Sequence, residues 1–165
     1  MRKGLAIITG ADGGMGTEIT RAVALAGYSV VMACYNAEKA EVKRKLLIEE
    51  TGNADIMVMS IDLSSLASVN AFACRMLERG DRLDLLMNNA GTMETGFHIT
   101  EDGLERTVSV NYVGHYLLTR KLLPLMGKGS RILNMVSCTY AIGKLDFPDF
   151  FHKGEEGQLL ADSCI

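Results

Sequence analysis

A stretch near the start of the chain, Thr9-Gly10-Ala11-Asp12-Gly13-Gly14-Met15-Gly16, has the residues needed to hold phosphate. It follows an apolar run and opens a segment of helical period, which is the context a nucleotide loop requires. Gly10 permits a tight turn, Gly14 leaves room for a pyrophosphate to approach the backbone, and Gly16 lets the helix pack closely on a strand. Free N–H groups at the helix start attract the phosphates. A glycine turn without a ligand is the plain alternative, and three glycines so placed argue against it. Asn111 emerges from a different pattern. Leu104, Val108, Asn111, His115, Leu118 and Leu122 trace one face of a helix. An asparagine in that apolar stripe must find partners or cost about 1–3 kcal/mol. Spacing alone favours a satisfied structural asparagine, and His115 on the same stripe reads as core or interface.

The elements that position these groups follow from hydrophobic periodicity. Leu5–Ile8, Ser29–Cys34, Asp55–Ser60, Leu83–Met87 and Arg131–Val136 are apolar on consecutive positions, as strands buried on both faces of a parallel sheet are. Between them lie segments of helical period. Met15, Ile19, Val23 and Ala26 mark the inner face of the first, which Gly27 ends. Residues 37–51 form a charge-laced helix with Val42 and Leu46 inward and Gly52 as a stop. Ser64 is placed to N-cap a helix carrying Leu66, Val69, Ala73 and Met76, closed by Gly80. Thr100 or Asp102 opens the longest helix, which runs to about Met126. Strand–helix alternation with short loops predicts an α/β, Rossmann-like doubly wound parallel sheet. The glycine loop, Tyr35-Asn36, Asp62-Leu63, Asn88-Asn89-Ala90-Gly91 and Ser137 each close one strand. In such a sheet they share the edge where open α/β folds bind ligands.

Composition narrows the function classes. The 165 residues suit one domain, and 48% apolar against 22% charged residues favours a packed core. A net charge of −3 gives no support for a nucleic-acid or anionic-membrane partner. Four cysteines without a close pair read as buried free thiols in a reducing compartment, and the ten methionines as core filler. Leu5–Ile8 is too short for a signal peptide and nothing later spans a bilayer, so a soluble cytoplasmic protein is expected. No metal is expected. The periodic part is residues 1–137. From Cys138 to Ile165 there is no sustained period, and a compact fold rarely keeps so long a structureless end.

Taken together, the motifs resemble the short-chain dehydrogenase/reductase family over about Lys3 to Phe150. Thr9-Gly-x-x-x-Gly-x-Gly16 has that family's glycine spacing. Asn88-Asn89-Ala90-Gly91 is similar to its fourth-strand motif, Asn111 to its helix asparagine and Ser137 to its fifth-strand serine. Ala33-Cys34-Tyr35-Asn36 and Gly143-Lys144-Leu-Asp-Phe resemble the retinol-dehydrogenase-like branch more loosely. The resemblance implies a sheet order of 3-2-1-4-5 and hydride transfer between NAD(P) and an alcohol/carbonyl substrate. It places Thr9, Gly10, Asp12, Gly14, Met15 and Gly16 along the pyrophosphate and adenosine, and Asp62 and Leu63 on the adenine. Asn89, Ala90 and Gly91 then follow the ribose next to nicotinamide, Ser137 bonds the substrate oxygen, and Asn111 anchors a water of the proton relay. By its own position Asp62 also reads as a helix-start acid beside Ser64. Tyr35 stands where related NADP enzymes often carry arginine. That missing cation and Asp12 lean toward NAD, the branch resemblance leans toward NADP, and the choice stays open. Family members often pair through the helix bearing Asn111 and the helix after it, which leaves a homo-oligomer open.

The family's catalytic pair is Tyr-x-x-x-Lys on the helix after the fifth strand. There the tyrosine is the general acid/base, and the lysine holds the ribose and lowers the tyrosine pKa. Tyr140-Ala-Ile-Gly-Lys144 satisfies the pattern but begins three residues after Ser137, too soon to reach that helix, and Gly143 breaks the helical context. No further pair follows. The expectation is therefore a sheet truncated after its fifth strand, with an exposed edge and no turnover of its own. Residues from about 157 do not resemble the family. One codon set for them, with a single base removed, reads Gly-Ser-Phe-Trp-Arg-Ile-Pro-Val and then begins a tyrosine codon. A frameshift, a splice variant and a fragment are the origins to be separated, and the gene separates them. Two rival functions are a non-catalytic nucleotide-binding remnant and a methyltransferase binding S-adenosylmethionine. The three-glycine spacing and Asn88-Asn-Ala-Gly91 speak against the latter.

Overall fold

The computed structural model describes residues 3–141. Its strands are β1 (Leu5–Thr9), β2 (Ser29–Cys34), β3 (Ile56–Ser60), β4 (Leu83–Asn88) and β5 (Met126–Asn134). They form one parallel sheet in the order β3-β2-β1-β4-β5, the expected Rossmann-like arrangement. Side chains alternate between faces along each strand, so consecutive apolar residues feed two cores. Leu5, Ile7, Val31, Ala33 and Leu86 meet Phe72 and Met76 of α3 (Leu66–Arg79) and Leu118 and Leu122 of α5 (Gly114–Leu122). On the other face, Ile8, Val30, Met32 and Cys34 meet Ala24 of α1 (Gly14–Leu25) and Ala40 and Leu47 of α2 (Ala37–Thr51). Fully burying such an aliphatic side chain is worth about 1.5–3 kcal/mol. Central strands with no polar face gain this on both sides.

Two helices turn a different face inward than periodicity suggested. In α1 the buried residues are Gly16, Thr17, Thr20 and Ala24, while Met15 is exposed. Close contact at Gly16 sets the rotation. The threonines tolerate burial because their hydroxyls donate to Gly13 O and Gly16 O, each at 2.7 Å. In α2, Ala40 and Leu47 are buried, and Val42 and Leu46 are exposed. Both pairs have helical spacing, and the small Ala40 allows the closer approach.

Helix starts also moved. Ser65, not Ser64, caps α3 by accepting from Ser68 N at 3.2 Å. Ser64 instead donates its N–H and hydroxyl to Asp62 Oδ1, at 2.8 and 2.6 Å. Asp102 opens no helix; its carboxylate accepts from Leu66 N at 2.8 Å and so supports the start of α3. The long helix begins as α4 (Arg106–Val108), capped by the buried Glu105, which accepts from Thr107 N at 2.8 Å and Val108 N at 2.7 Å. A π-helical turn, Ser109–Val113, separates α4 from α5. A 3-10 turn at Leu123–Leu125 leads straight into β5.

β5 starts earlier than its apolar run because a bulge lies between the pairs Leu83–Met126 and Leu85–Arg131, and the polar residues inside it carry no strand signal. It is an edge strand, and Leu133 within it and Val136 just past it are exposed. The cysteines differ from expectation: Cys34 is buried, but Cys74 and Cys138 are exposed. Cys74 falls on the outer face of α3, where its apolar neighbours misled. Among the described residues no helix is long and apolar enough to cross a membrane. Lys144, the rest of the 142–165 tail and the frameshift expectation lie outside the described residues.

Candidate functional site

The strand ends converge on one cleft of about 400 Å³. Gly10, Asp12, Gly14, Met15, Gly16, Tyr35, Asp62, Leu63, Asn89, Ala90 and Gly91 all line it. Thr9, Asn111 and Ser137 do not. Asn111 borders a second hollow of about 340 Å³, with Asn88, His115, Asn134 and Val136, and Ser137 lies past the end of β5, after Met135 and Val136.

The start of α1 differs from that of its neighbours. Asn36 caps α2 by accepting from Lys39 N at 2.9 Å, and Ser65 caps α3. Gly13 has no side chain, so the first N–H groups of α1 receive no such cap. They carry the positive end of the helix dipole into the cleft. A Cβ on Gly14 would meet nothing within 4 Å. A Cβ on Gly16 would collide with Gly10 O and come within 2.8 Å of Gly10 C. Gly10 has φ of +61°, and a Cβ there would lie 2.8 Å from Ala90 Cα. Gly10 and Gly16 are thus required by the fold, while Gly14 holds space open. An anionic group of pyrophosphate size fits that space and that dipole.

Thr9 acts from beneath. Fully buried, its hydroxyl oxygen accepts from Asn89 N at 2.9 Å and Ala90 N at 3.0 Å, tying the end of β4 to that of β1. Asn89 Nδ2 donates to Thr9 O at 2.9 Å. The amide of Asn111 holds Thr92, accepting from its N–H at 2.8 Å and donating to its carbonyl at 2.9 Å. Asp62 turns one carboxylate oxygen to Ser64 and still borders the cleft.

Sequence reasoning missed several lining residues. Lys39, in the first turn of α2, sits 3.6 Å from the Asp12 carboxylate and supplies the cation that the tyrosine at position 35 lacks. Thr92, Glu94 and Arg106 also line the cleft, with Arg106 Nε 3.3 Å from Glu94. Thr92 and Glu94 come from an aperiodic loop and Arg106 from the first turn of the short α4, and none of them left a signal. Beside Asp12, burial first and the carboxylate second push the Cys34 thiol up to about 12, so it stays protonated and unreactive.

His115 is buried, and burial lowers its pKa below the usual 6.5, opposed by its bond to the Asn111 carbonyl. In the unfolded chain it protonates near that ordinary value, whereas the folded ring resists until a lower pH. Between the two, the unfolded state holds more protons. Stability should therefore be full above about pH 6.5 and fall as pH drops below it. Thermal melts between pH 7.5 and 5.5 check this: the wild-type Tm should drop more steeply than that of His115→Phe, and parallel slopes would refute it.

A family model described as short chain dehydrogenase matches residues 4–147. This chain belongs to that family. Retinol dehydrogenase 13 of Homo sapiens is 39% identical over 145 residues, spanning 87% of this chain and 44% of the relative. Dehydrogenase/reductase SDR family member 13 of Homo sapiens is 38% identical over 149 residues, 89% of this chain and 39% of the relative. The chain thus spans less than half the length of these curated short-chain dehydrogenases. Among solved structures, an uncharacterised protein of Mycobacterium paratuberculosis superposes with a TM-score of 0.82 at 28% identity, over 99% of this chain and 58% of that one. The RhlG/NADP active-site complex of Pseudomonas aeruginosa superposes with a TM-score of 0.71 at 26% identity, over 84% and 56%. A nicotinamide dinucleotide is the cofactor expected of this family.

Proposed function

We propose that the cleft binds NAD(P), and that this chain is the dinucleotide-binding part of an oxidoreductase acting on an alcohol/carbonyl substrate. The observation that carries the reading is the uncapped start of α1 beside Gly14, where a side chain would enter open space. The N–H groups following Gly13 hold the pyrophosphate. Leu63 packs on the adenine while Asp62 accepts from its amino group, and Asn89, Ala90 and Gly91 form the wall along the ribose next to nicotinamide. When bound, the dinucleotide supplies the hydride acceptor or donor. Ser137 hydrogen-bonds the substrate oxygen. Asn111 serves by holding Thr92, and with it the cleft wall. The relatives named retinol dehydrogenases make retinol the first alcohol to offer.

Calorimetric titration with NADH, NADPH and S-adenosylmethionine tests the reading. Heat with a nicotinamide dinucleotide supports it; binding of S-adenosylmethionine alone, or of none of the three, overturns it.

Lys39 favours NADP. It stands in the first turn of α2, just after β2, and its own side chain is exposed although its partner Asp12 is largely buried. Charge-assisted contacts to phosphate are strong but screened by salt. Lys39→Ala should weaken NADPH binding by roughly tenfold, about 1.4 kcal/mol, and barely change NADH binding. Equal losses for both would assign Lys39 to holding Asp12 in place.

A further inference from the structure

We infer that His115 is a positioning residue for the dinucleotide: neutral, with its proton on Nδ1, it accepts a hydrogen bond from the Thr9 hydroxyl at Nε2 and so presets the cleft wall from Asn89 to Thr92. The inference rests on the reading that this cleft takes NAD(P).

The hydrogen-bond inventory around Thr9 decides the tautomer. A threonine hydroxyl has one proton and two lone pairs. Asn89 N and Ala90 N are both peptide donors, at 2.9 and 3.0 Å, and they occupy both lone pairs. The hydroxyl proton must then go to His115 Nε2 at 2.9 Å or to Met87 O at 3.4 Å, and the ring is nearer. Nε2 is therefore an acceptor, which leaves the ring proton on Nδ1. There it donates to Asn111 O at 3.3 Å. This arrangement satisfies every donor and acceptor in the set. The other tautomer would set Nε2–H against an oxygen whose lone pairs are taken, and would turn the Nδ1 lone pair toward a carbonyl oxygen. With the ring only 7% exposed, either fault would be costly.

The same helical segment holds the other end of the wall. Asn111, four residues before His115, grips Thr92 through both ends of its amide. Two side chains one helical turn apart thus fix Asn89, Ala90 and Thr92, with Gly91 between them, and all four residues line the cleft. Bonds made before the ligand arrives need not be formed at its expense, so affinity follows from preorganisation.

Replacing the ring by an aromatic one that cannot accept, His115→Phe, should weaken NAD(P)H binding by roughly tenfold, the effect of one buried hydrogen bond. His115→Gln, whose side-chain oxygen can accept from Thr9, should recover most of it. Two-bond nitrogen–proton NMR of the wild-type ring should show a neutral imidazole with Nε2 unprotonated, a readout independent of how well any variant folds. If wild type binds and His115→Phe binds equally well, or if Nε2 carries the proton, the inference is overturned and the cleft reading stands. If wild type binds neither dinucleotide, the cleft reading fails and takes this inference with it.

Discussion

Gly14→Val should leave the chain folded with an unchanged Tm and lower its affinity for NADH and NADPH by roughly a hundredfold or more, at least about 2.7 kcal/mol. The valine has room in the free protein, since a Cβ at Gly14 meets nothing within 4 Å. That room is the volume the phosphates need. Gly16→Ala should behave in the opposite way. Its Cβ would strike Gly10 O and lie 2.9 Å from Ala11 Cα, both backbone atoms that cannot rotate aside. Overpacking of this kind typically costs about 1–3 kcal/mol or more, which lowers Tm by several degrees in a domain of this size. Melting curves and titrations on both variants check the pair. Unchanged dinucleotide affinity in Gly14→Val would remove the pyrophosphate from this loop.

The second large effect concerns turnover. We expect no measurable NAD(P)-dependent oxidation of any alcohol by the 165-residue chain. Its only tyrosine–lysine pair after Ser137 starts at Tyr140, whose backbone lies in a short 3-10 turn, Cys138–Ala141, soon after β5 ends at Asn134. General acid–base catalysis typically contributes roughly 10²–10⁴-fold, and an enzyme without its proton donor forfeits that factor. Steady-state assays with retinol and short alcohols, run beside Tyr140→Phe, decide the matter. Robust NAD(P)H formation that vanishes in Tyr140→Phe would make Tyr140 the proton donor.

What could be read in advance was whatever depends on local pattern. The strands showed because burial on both faces demands unbroken apolar runs such as Val30-Val31-Met32. The cleft showed because each run ends in residues too polar or too small for a core, at Asp12, Asp62 and Asn89. Helix orientation was less legible. On α2 two stripes of helical spacing competed, and only the distance to the sheet chose Ala40 and Leu47 over Val42 and Leu46. The break in the long helix was invisible too, since a π-helical turn keeps the composition of the helix around it.

The sequence by itself determined the doubly wound order of elements, the glycine loop at the first crossover and the membership of eleven residues in one cleft. It could do so because strand period, turn chemistry and helix starts are set by neighbours a few positions apart. Tertiary structure alone decided the roles of Thr9, Lys39, Asn111 and His115. Thr9 and His115 lie 106 positions apart and meet at 2.9 Å, and Asp12 meets Lys39 across two different strand ends. Polar side chains like these take their function from the partner they find, and that partner is fixed by the stacking of β1, β4 and α5, which no local spacing records.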